Sequence, residues 1–288
     1  MRKLDSNLTL VILLAIAGSL FILSQLLSTP LSDTWLIASF VILFLVMVIF
    51  HGWKTLGPRE VLVFFVVSFS IPLLYEATDA LGFGGLVGCT CIYSDVLGPK
   101  FLGKVPFLIP LGWSLFIYCT VTMTNIVFNR LRFSQTTNDT INRRWFIRVV
   151  GMGIITGFMM ASLDLIIDPV MVALGAWSWP GGGVYYGIPI WNYEGWVEIP
   201  TVTFIVYNIY LQLVKRNQVY IGREKRSRYT LFVLLPYLAA FIIFVVYAME
   251  EHLISVILWS AVPVGFFSIF VVLRFYRFST KKGMGVFP

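Results

Sequence analysis

The stretch from Asp164 to Glu198 reads DLIIDPVMVALGAWSWPGGGVYYGIPIWNYEGWVE, and it separates two strongly apolar segments. It contains four acidic residues, four tryptophans and no lysine or arginine. Carboxyl groups are costly at the edge of an apolar layer, because an ionised carboxylate loses its hydration there. Acids placed in such a stretch without basic partners therefore indicate a functional site.

The composition of the whole chain indicates a membrane protein. Of the 288 residues, 58% are hydrophobic, 16% aromatic and only 12% charged. A helix needs about 20 apolar residues to cross the hydrocarbon layer. Eight such runs lie near 8–28, 34–50, 60–80, 105–128, 147–168, 197–214, 229–249 and 253–274. The sequence thus predicts an all-α, polytopic membrane helical bundle of about eight transmembrane helices, with residues 1–288 forming a single transmembrane domain.

Basic residues mark one side of the predicted bundle. The net charge is +7, and 19 of the 21 lysines and arginines fall at the two termini or in loops on one side; only Lys100 and Lys104 fall on the other. Basic loops stay on the cytoplasmic side of a membrane. We therefore expect a multi-pass protein of the cell membrane with both termini cytoplasmic. Topology and anionic lipid explain the basic loops, so no nucleic-acid partner is predicted.

Acidic residues gather on the opposite side. Glu76 and Asp79 are three residues apart near the end of the third predicted span, and Asp164 and Asp168 are four apart near the end of the fifth. At these spacings each pair shares one face of a helix. Intramembrane acids usually face a cavity or a partner, and a protonated carboxyl beside an ionised one is an acid–base pair. The predicted catalytic residues are Glu76, Asp79, Asp164, Asp168 and Glu198.

Each acid also has a structural interpretation, in which it caps a helix, bonds a tyrosine or tryptophan, or sits in interfacial water. That interpretation is favoured for Asp33, Asp95, Glu250 and Glu251. No metal site is predicted, since the three cysteines and two histidines lack metal-ligand spacing.

Proline and glycine positions predict three local features. Pro169 restricts the residue before it, so the fifth span is expected to kink or stop at Asp168. Gly151 and Gly153 are small enough to let a neighbouring helix approach closely. The glycine-rich, apolar loop near residues 81–106 is expected to fold back over the outer face, where protein can bury its backbone.

The aromatic residues between the two acidic segments permit two interpretations. Tryptophan and tyrosine are common anchors at the membrane interface. Their density beside the acids equally suits a π-rich pocket that holds a polyene and stabilises a carbocation. The residues concerned are Trp177, Trp179, Tyr185, Tyr186, Trp191, Tyr193 and Trp196.

Two blocks carry a family resemblance. YEATDALGFGGLVG at 75–88 and YSDVLGPKFLGKVPFLIPLGW at 93–113 precede the stretch quoted above. Over about residues 70–200 the chain resembles the membrane family of carotenoid biosynthesis proteins that includes the bisanhydrobacterioruberin hydratases and related carotenoid 1,2-hydratases. One position departs from the pattern, because Cys91 stands where an aromatic residue is expected.

The resemblance implies a cofactor-independent carotenoid hydratase. Such an enzyme adds water to the terminal 1,2 double bond of a linear carotenoid through a tertiary carbocation, with Glu76, Asp164 or Asp168 as the proton donor. It implies a lipid-soluble linear carotenoid as substrate, the lipid bilayer as surroundings, and association with other carotenoid-pathway enzymes. The matching substrate-binding positions are Tyr75, Tyr93, Asp95, Trp113, Trp177, Trp179, Tyr185, Asn192 and Trp196.

Three other functions are compatible with the residues. A carotenoid or terpenoid cyclase shares the protonation step but closes a ring and leaves the mass unchanged. The spacing of Asp164 and Asp168 resembles half of the metal–diphosphate site of a membrane prenyltransferase, whose activity would depend on magnesium. A non-enzymatic proton-coupled transporter could use the same acids, although no inverted repeat of broken helices is evident.

Overall fold

The computed structural model describes residues 30–80, 91–128, 141–214 and 228–280. Within these ranges, seven helices are long and apolar enough to cross a membrane. They are α1 (Pro30–Thr55), α2 (Pro58–Ala80), α3 (Leu108–Val127), α4 (Arg143–Ala173), α5 (Ile190–Val214), α6 (Leu234–Glu250) and α7 (Ile254–Thr280). The predicted all-α membrane bundle is confirmed, and the chain is a multi-pass membrane protein. The predicted span at 8–28 and both termini lie outside the described residues.

Helices α3 and α4 form the interior of the bundle. α4 packs against α3, α5, α6 and α7, and α3 packs against α1, α2, α6 and α7 as well. Polar side chains join the two helices: Thr156 of α4 donates to Thr124 of α3 at 2.9 Å. A hydroxyl pair of this kind satisfies polar atoms that no water reaches. The remaining helices surround this pair.

Glycine allows α4 and α5 to approach each other closely. A Cβ on Gly157 would lie 2.4 Å from the Val197 carbonyl oxygen, and one on Gly153 would lie 3.1 Å from the Thr201 methyl carbon. The predicted close approach is therefore confirmed at Gly153. It does not involve Gly151, whose Cβ would meet nothing within 4 Å among the described residues.

Gly157→Ala is expected to destabilise the bundle by about 1–3 kcal/mol, because the added methyl forces two backbones apart. Gly151→Ala is the matched control on the same helix. It is expected to leave stability unchanged or raise it slightly, since alanine is the better helix former. Thermal unfolding of the purified protein, followed by tryptophan fluorescence, measures both. Equal midpoints for the two variants would contradict the assigned contact.

The fifth span was expected to kink or stop at Asp168, and of these two outcomes a stop is wrong. α4 continues through Pro169 to Ala173. Proline lacks the N–H that would bond the carbonyl four residues earlier, which here belongs to Leu165. The Tyr185 hydroxyl donates to that carbonyl at 3.0 Å. A side chain from the following loop thus replaces the missing backbone donor.

α5 begins at Ile190, seven residues before the start expected for the sixth span. The segment after Pro189 contains Gly195 but no further proline before Pro200, so it can continue as helix. Asn192 and Trp196 consequently lie on successive turns of a helix rather than in a loop. Their positions relative to α4 are fixed by the α4–α5 contact.

Two short antiparallel pairs close one end of the bundle. β1 (Ile92–Tyr93) pairs with β4 (Trp177–Ser178), and β2 (Lys100–Phe101) pairs with β3 (Val105–Pro106). They lie where α2 and α4 end and α3 and α5 begin, which we call the acidic end. For residues 91–106 the predicted return of the loop over the bundle is confirmed. The register sets Tyr93 opposite Trp177.

Candidate active site

A cavity at the acidic end brings together most of the predicted site residues. Its described walls come from α1 to α6 and from the two connecting loops, and none of the described lining residues is lysine, arginine or histidine. The predicted residues that line it are Tyr75, Glu76, Tyr93, Trp113, Asp168, Trp177, Trp179, Asn192 and Trp196. Carboxyl groups and indole rings therefore face one apolar space without a cation beside them.

Glu76 lies near the end of α2 and accepts two hydrogen bonds. The Tyr93 hydroxyl donates to one carboxyl oxygen at 2.7 Å, and the Trp113 indole donates to the other at 3.2 Å. Burial, and then the charge of Glu76, raise the pKa of Tyr93 well above its ordinary value, so this phenol remains a donor. A carboxylate, which only accepts hydrogen bonds, satisfies both donors.

Asp164 and Asp168 form a buried pair on α4. Their residues are 0% and 2% exposed. The Asn192 side-chain amide donates to both carboxyl groups, at 3.3 Å to Asp164. The second oxygen of Asp164 has no hydrogen-bond partner among the described residues. Two buried carboxyl groups in contact cannot both ionise readily, so the pair holds at least one proton.

Only one member of this pair lines the cavity. Asp168 does so, whereas Asp164 lies one helical turn further into the bundle. Asp168 also interacts with the side chain of Trp177, which belongs to β4. The arrangement gives Asp168 access to a bound molecule and leaves Asp164 as its buried neighbour.

Aromatic rings surround the carboxyl groups. The Trp113 and Trp196 rings lie with centroids 4.2 Å apart and planes 30° apart. Tyr93 and Trp177 meet edge to face at 6.0 Å. Ring faces carry partial negative charge, which attracts cations in a desolvated site. The cavity can therefore stabilise positive charge that develops between its carboxyl groups.

Glu198 reaches the cavity through another residue. It accepts a hydrogen bond from the Tyr75 hydroxyl at 2.8 Å, which joins α5 to α2. Tyr75 lines the cavity, while Glu198 lines a separate groove formed by α4, α5 and α7. Glu198 therefore holds Tyr75 in position and does not face the same space as Glu76 and Asp168.

Besides Asp164 and Glu198, the predicted site residues Asp95 and Tyr185 do not line the cavity. Asp95 is an exposed residue that forms an ion pair with Lys100 at 2.6 Å, and this partner lowers its pKa. Tyr185 instead donates to α4, and burial raises its pKa to about 12, so it stays protonated. Asp79 lies in the last turn of α2, but its side chain is outside the described part of the chain.

Tyr185→Phe is expected to lower stability by about 1 kcal/mol, because the Leu165 carbonyl next to Pro169 loses its donor. Tyr186→Phe is the matched control, since the Tyr186 hydroxyl bonds the hydroxyl of the exposed Ser255 and not a backbone carbonyl next to a proline. The unfolding midpoint of each purified variant is the measurement. A midpoint lowered more by Tyr186→Phe than by Tyr185→Phe would contradict this role.

The structure adds wall residues that are not among the predicted catalytic or substrate-binding positions. Trp191 and Cys91 line the cavity, as do apolar side chains from α1 and α6. The cluster of tryptophans could have identified Trp191 as a wall residue, and the departure from the family pattern could have identified Cys91. No sequence feature could have identified the wall residues of α1 and α6, because apolar side chains look alike whether they face lipid, protein or a cavity.

Comparison with known proteins agrees with this arrangement. The family model described as "Carotenoid biosynthesis protein" matches residues 36–270. The chain belongs to the carotenoid biosynthesis protein family. The match includes all the predicted catalytic residues and every described helix that contributes to the cavity. The resemblance inferred from the two sequence blocks is thereby confirmed, and the family assigns the protein a role in carotenoid biosynthesis.

One protein to which the chain is similar has a name that states a specific activity. Over 116 aligned residues the chain is 27% identical to the bisanhydrobacterioruberin hydratase of Haloarcula japonica. The aligned residues make up 40% of this chain and 34% of that protein. The chain thus matches about a third of the length of this curated relative. No solved structure matches the chain. A membrane-embedded apolar cavity fits the lipid-soluble substrates of this family.

Proposed function

We propose that the protein is a carotenoid hydratase that adds water to the terminal 1,2 double bond of a linear carotenoid without a cofactor. The observation that carries the proposal is the pairing of Asp168 and Glu76 across one tryptophan-walled cavity. An isolated alkene needs a strong proton donor, a surrounding that tolerates a cation, and a positioned water. The described residues supply groups suited to each requirement.

In this proposal Asp168 is the general acid. Its carboxyl proton adds to C2 of the terminal double bond, and the π electrons of that bond form the new C–H bond. Positive charge then develops at C1, which carries two methyl groups and is therefore tertiary. Burial favours the initial protonated state of Asp168, because an apolar surrounding disfavours the charged carboxylate.

Glu76 acts as the general base in the second half of the reaction. Water attacks C1, and the Glu76 carboxylate accepts the proton that this water loses. Tyr93 and Trp113 hold the carboxylate in place through its two hydrogen bonds. The sum of the steps adds one water and gives a tertiary alcohol. The cycle is completed when a proton returns from Glu76 to Asp168.

The ring faces near these carboxyl groups would stabilise the intermediate cation. Trp113 and Trp196 form a tilted pair of indole rings, and Trp177 lies beside Asp168. Attraction between a cation and an aromatic face is worth about 2 kcal/mol or more when water is excluded. This stabilisation applies to the transition state and not to the neutral alkene, so it accelerates the reaction.

A prenyltransferase is less well supported. Its diphosphate substrate needs cationic partners, and the described cavity lining contains no lysine or arginine. A cyclase would use the same proton donor, so product mass must separate it from a hydratase. We further propose a cell-membrane location with cytoplasmic termini, because Lys54, Arg59 and Arg143 lie at the end of the bundle opposite the cavity.

The test is expression in a host that makes a linear carotenoid such as lycopene, followed by mass analysis of the pigments. The proposal predicts a product heavier by one water, formed by the native chain and not by Asp168→Asn. A product of unchanged mass and altered spectrum would indicate cyclisation. No conversion of any linear carotenoid, with the protein present in the membrane, would overturn the proposed enzyme.

A further inference from the structure

Helices α1 and α6 contribute an apolar wall that the proposed chemistry does not use. Phe40 and Phe44 of α1 and Ala240 and Phe244 of α6 line the cavity and are between 4% and 8% exposed. Each pair is four residues apart, so each presents one continuous helix face. These two faces, which we call the α1–α6 seam, are part of the cavity that also contains Glu76 and Asp168.

The two helices are held together at one end of the seam. α1 packs against α2, α3 and the 3-10 segment Arg228–Val233 that leads into α6. α6 packs against α3, α4 and α7. Among the described helices, α1 and α6 are not a closely packed pair. Among the residues that the structure describes, the 3-10 segment therefore closes the seam at the basic end, and the cavity separates the two helices toward the acidic end.

Helix geometry gives the direction of the seam. Ile37 of α1 is level with Glu76 of α2, since the two residues are equally far from the turn that joins these helices. At ~1.5 Å per residue, Phe44 lies about 10 Å further into the bundle than Ile37. Ala240 lies about 15 Å from Glu250 at the acidic end of α6 by the same count. The seam thus runs inward from the carboxyl groups, along the direction of the helices.

We propose that the α1–α6 seam binds the conjugated chain of the substrate while its end group lies between Asp168 and Glu76. This inference rests on the proposed function. A linear carotenoid is a long, rigid, apolar rod, so an end group held at the carboxyl groups requires an apolar path for the adjoining chain. The β1–β4 pair, Tyr93 and Trp177 cover the acidic end, whereas the seam offers phenyl and methyl groups. Aromatic faces pack favourably against a conjugated chain.

Ala240 is the seam position at which a substitution can add the most side-chain volume. It is the smallest of the four seam residues, and a larger side chain there would fill part of the cavity that the seam lines. Ile242, on the same helix, is 60% exposed and does not line the cavity, so it faces away from the seam. Ala240→Phe and Ile242→Phe therefore introduce the same ring on opposite sides of α6.

The experiment measures binding to purified protein in nanodiscs by quenching of tryptophan fluorescence. Two ligands are compared: lycopene, and a short apocarotenoid that keeps the same end group but lacks most of the chain. Ala240→Phe is expected to weaken lycopene binding about tenfold or more, as overpacking of an apolar site does. Its affinity for the short ligand should match the native value. Ile242→Phe should bind both ligands like the native protein.

Equal weakening of both ligands by Ala240→Phe, or no weakening of either, would overturn the assignment. Ala240→Leu and Phe44→Ala provide second variants from the two sides of the seam if the phenylalanine variant does not fold. Binding is read without turnover, so the result is separate from hydration. If Ala240→Phe weakens binding of the long ligand alone but the native protein adds no water, the proposed hydratase is rejected and the seam assignment stands. If the native protein adds water but Ala240→Phe affects both ligands equally, the seam assignment is rejected and the proposed hydratase stands.

Discussion

Asp168→Asn is expected to lower the rate of carotenoid hydration by about 10²–10⁴-fold, the range in which a general acid contributes. An amide of nearly the same shape can accept a hydrogen bond but cannot protonate an alkene. The site should keep its fold, because the asparagine oxygen can still accept the hydrogen bond from the Asn192 amide. Single-turnover assays with purified protein and a linear carotenoid measure the rate, and thermal unfolding confirms that the variant is folded.

The neighbouring acid provides the comparison. Asp164 is close to Asp168 but does not line the cavity. Asp164→Asn is therefore expected to retain more activity than Asp168→Asn, since it removes a buried neighbour of the proton donor and not the donor itself. A native rate in Asp168→Asn, or a deeper loss in Asp164→Asn than in Asp168→Asn, would contradict the assignment of the acid.

Glu76→Gln is expected to have the second large effect, again about 10²–10⁴-fold in rate. The variant lacks the base that accepts a proton from water. Its amide also offers only one acceptor oxygen to the Tyr93 hydroxyl and the Trp113 indole, so one of the two donors loses its partner. The reaction should therefore slow at capture of the cation rather than at protonation of the alkene.

Exchange with deuterated water separates these two steps. A Glu76→Gln enzyme that still protonates the alkene reversibly would bring deuterium into the recovered substrate, whereas Asp168→Asn would not. Glu251→Gln is the control, because it removes an exposed acid at the same end of the bundle. Loss of both hydration and exchange in Glu76→Gln would show that Glu76 takes part in protonation and would reverse its assigned role.

The sequence was sufficient to predict the membrane bundle and the acids. Long apolar runs can hardly fold otherwise, and Asp164 and Asp168 had to share a helix face once their segment was helical. The spacing of the acids and the surrounding tryptophans thus predicted most of the residues that the cavity brings together, and their roles stay predictions. Asp95 shows the limit of such reasoning, because the ion pair with Lys100 is formed by a loop whose path the sequence does not specify.

Tertiary contacts determined the remaining features. The helix continues past Pro169 because Tyr185, sixteen positions away, donates to the free carbonyl. The backbone preference of the residue before proline could not reveal that the Tyr185 hydroxyl is this donor. The pairing of β1 with β4 is equally nonlocal, and it sets Tyr93 beside Trp177. The wall formed by Phe44 and Ala240 depends on which faces of two uniformly apolar helices turn inward.

The most direct test of the central claim is the origin of the oxygen and hydrogen atoms in the product. Purified protein would be incubated with a linear carotenoid in water enriched in heavy oxygen, and separately in deuterated water. The account predicts that the tertiary hydroxyl at C1 carries the labelled oxygen and that C2 carries one deuterium. A hydroxyl oxygen derived from molecular oxygen, or a product without deuterium at C2, would contradict acid-catalysed addition of water.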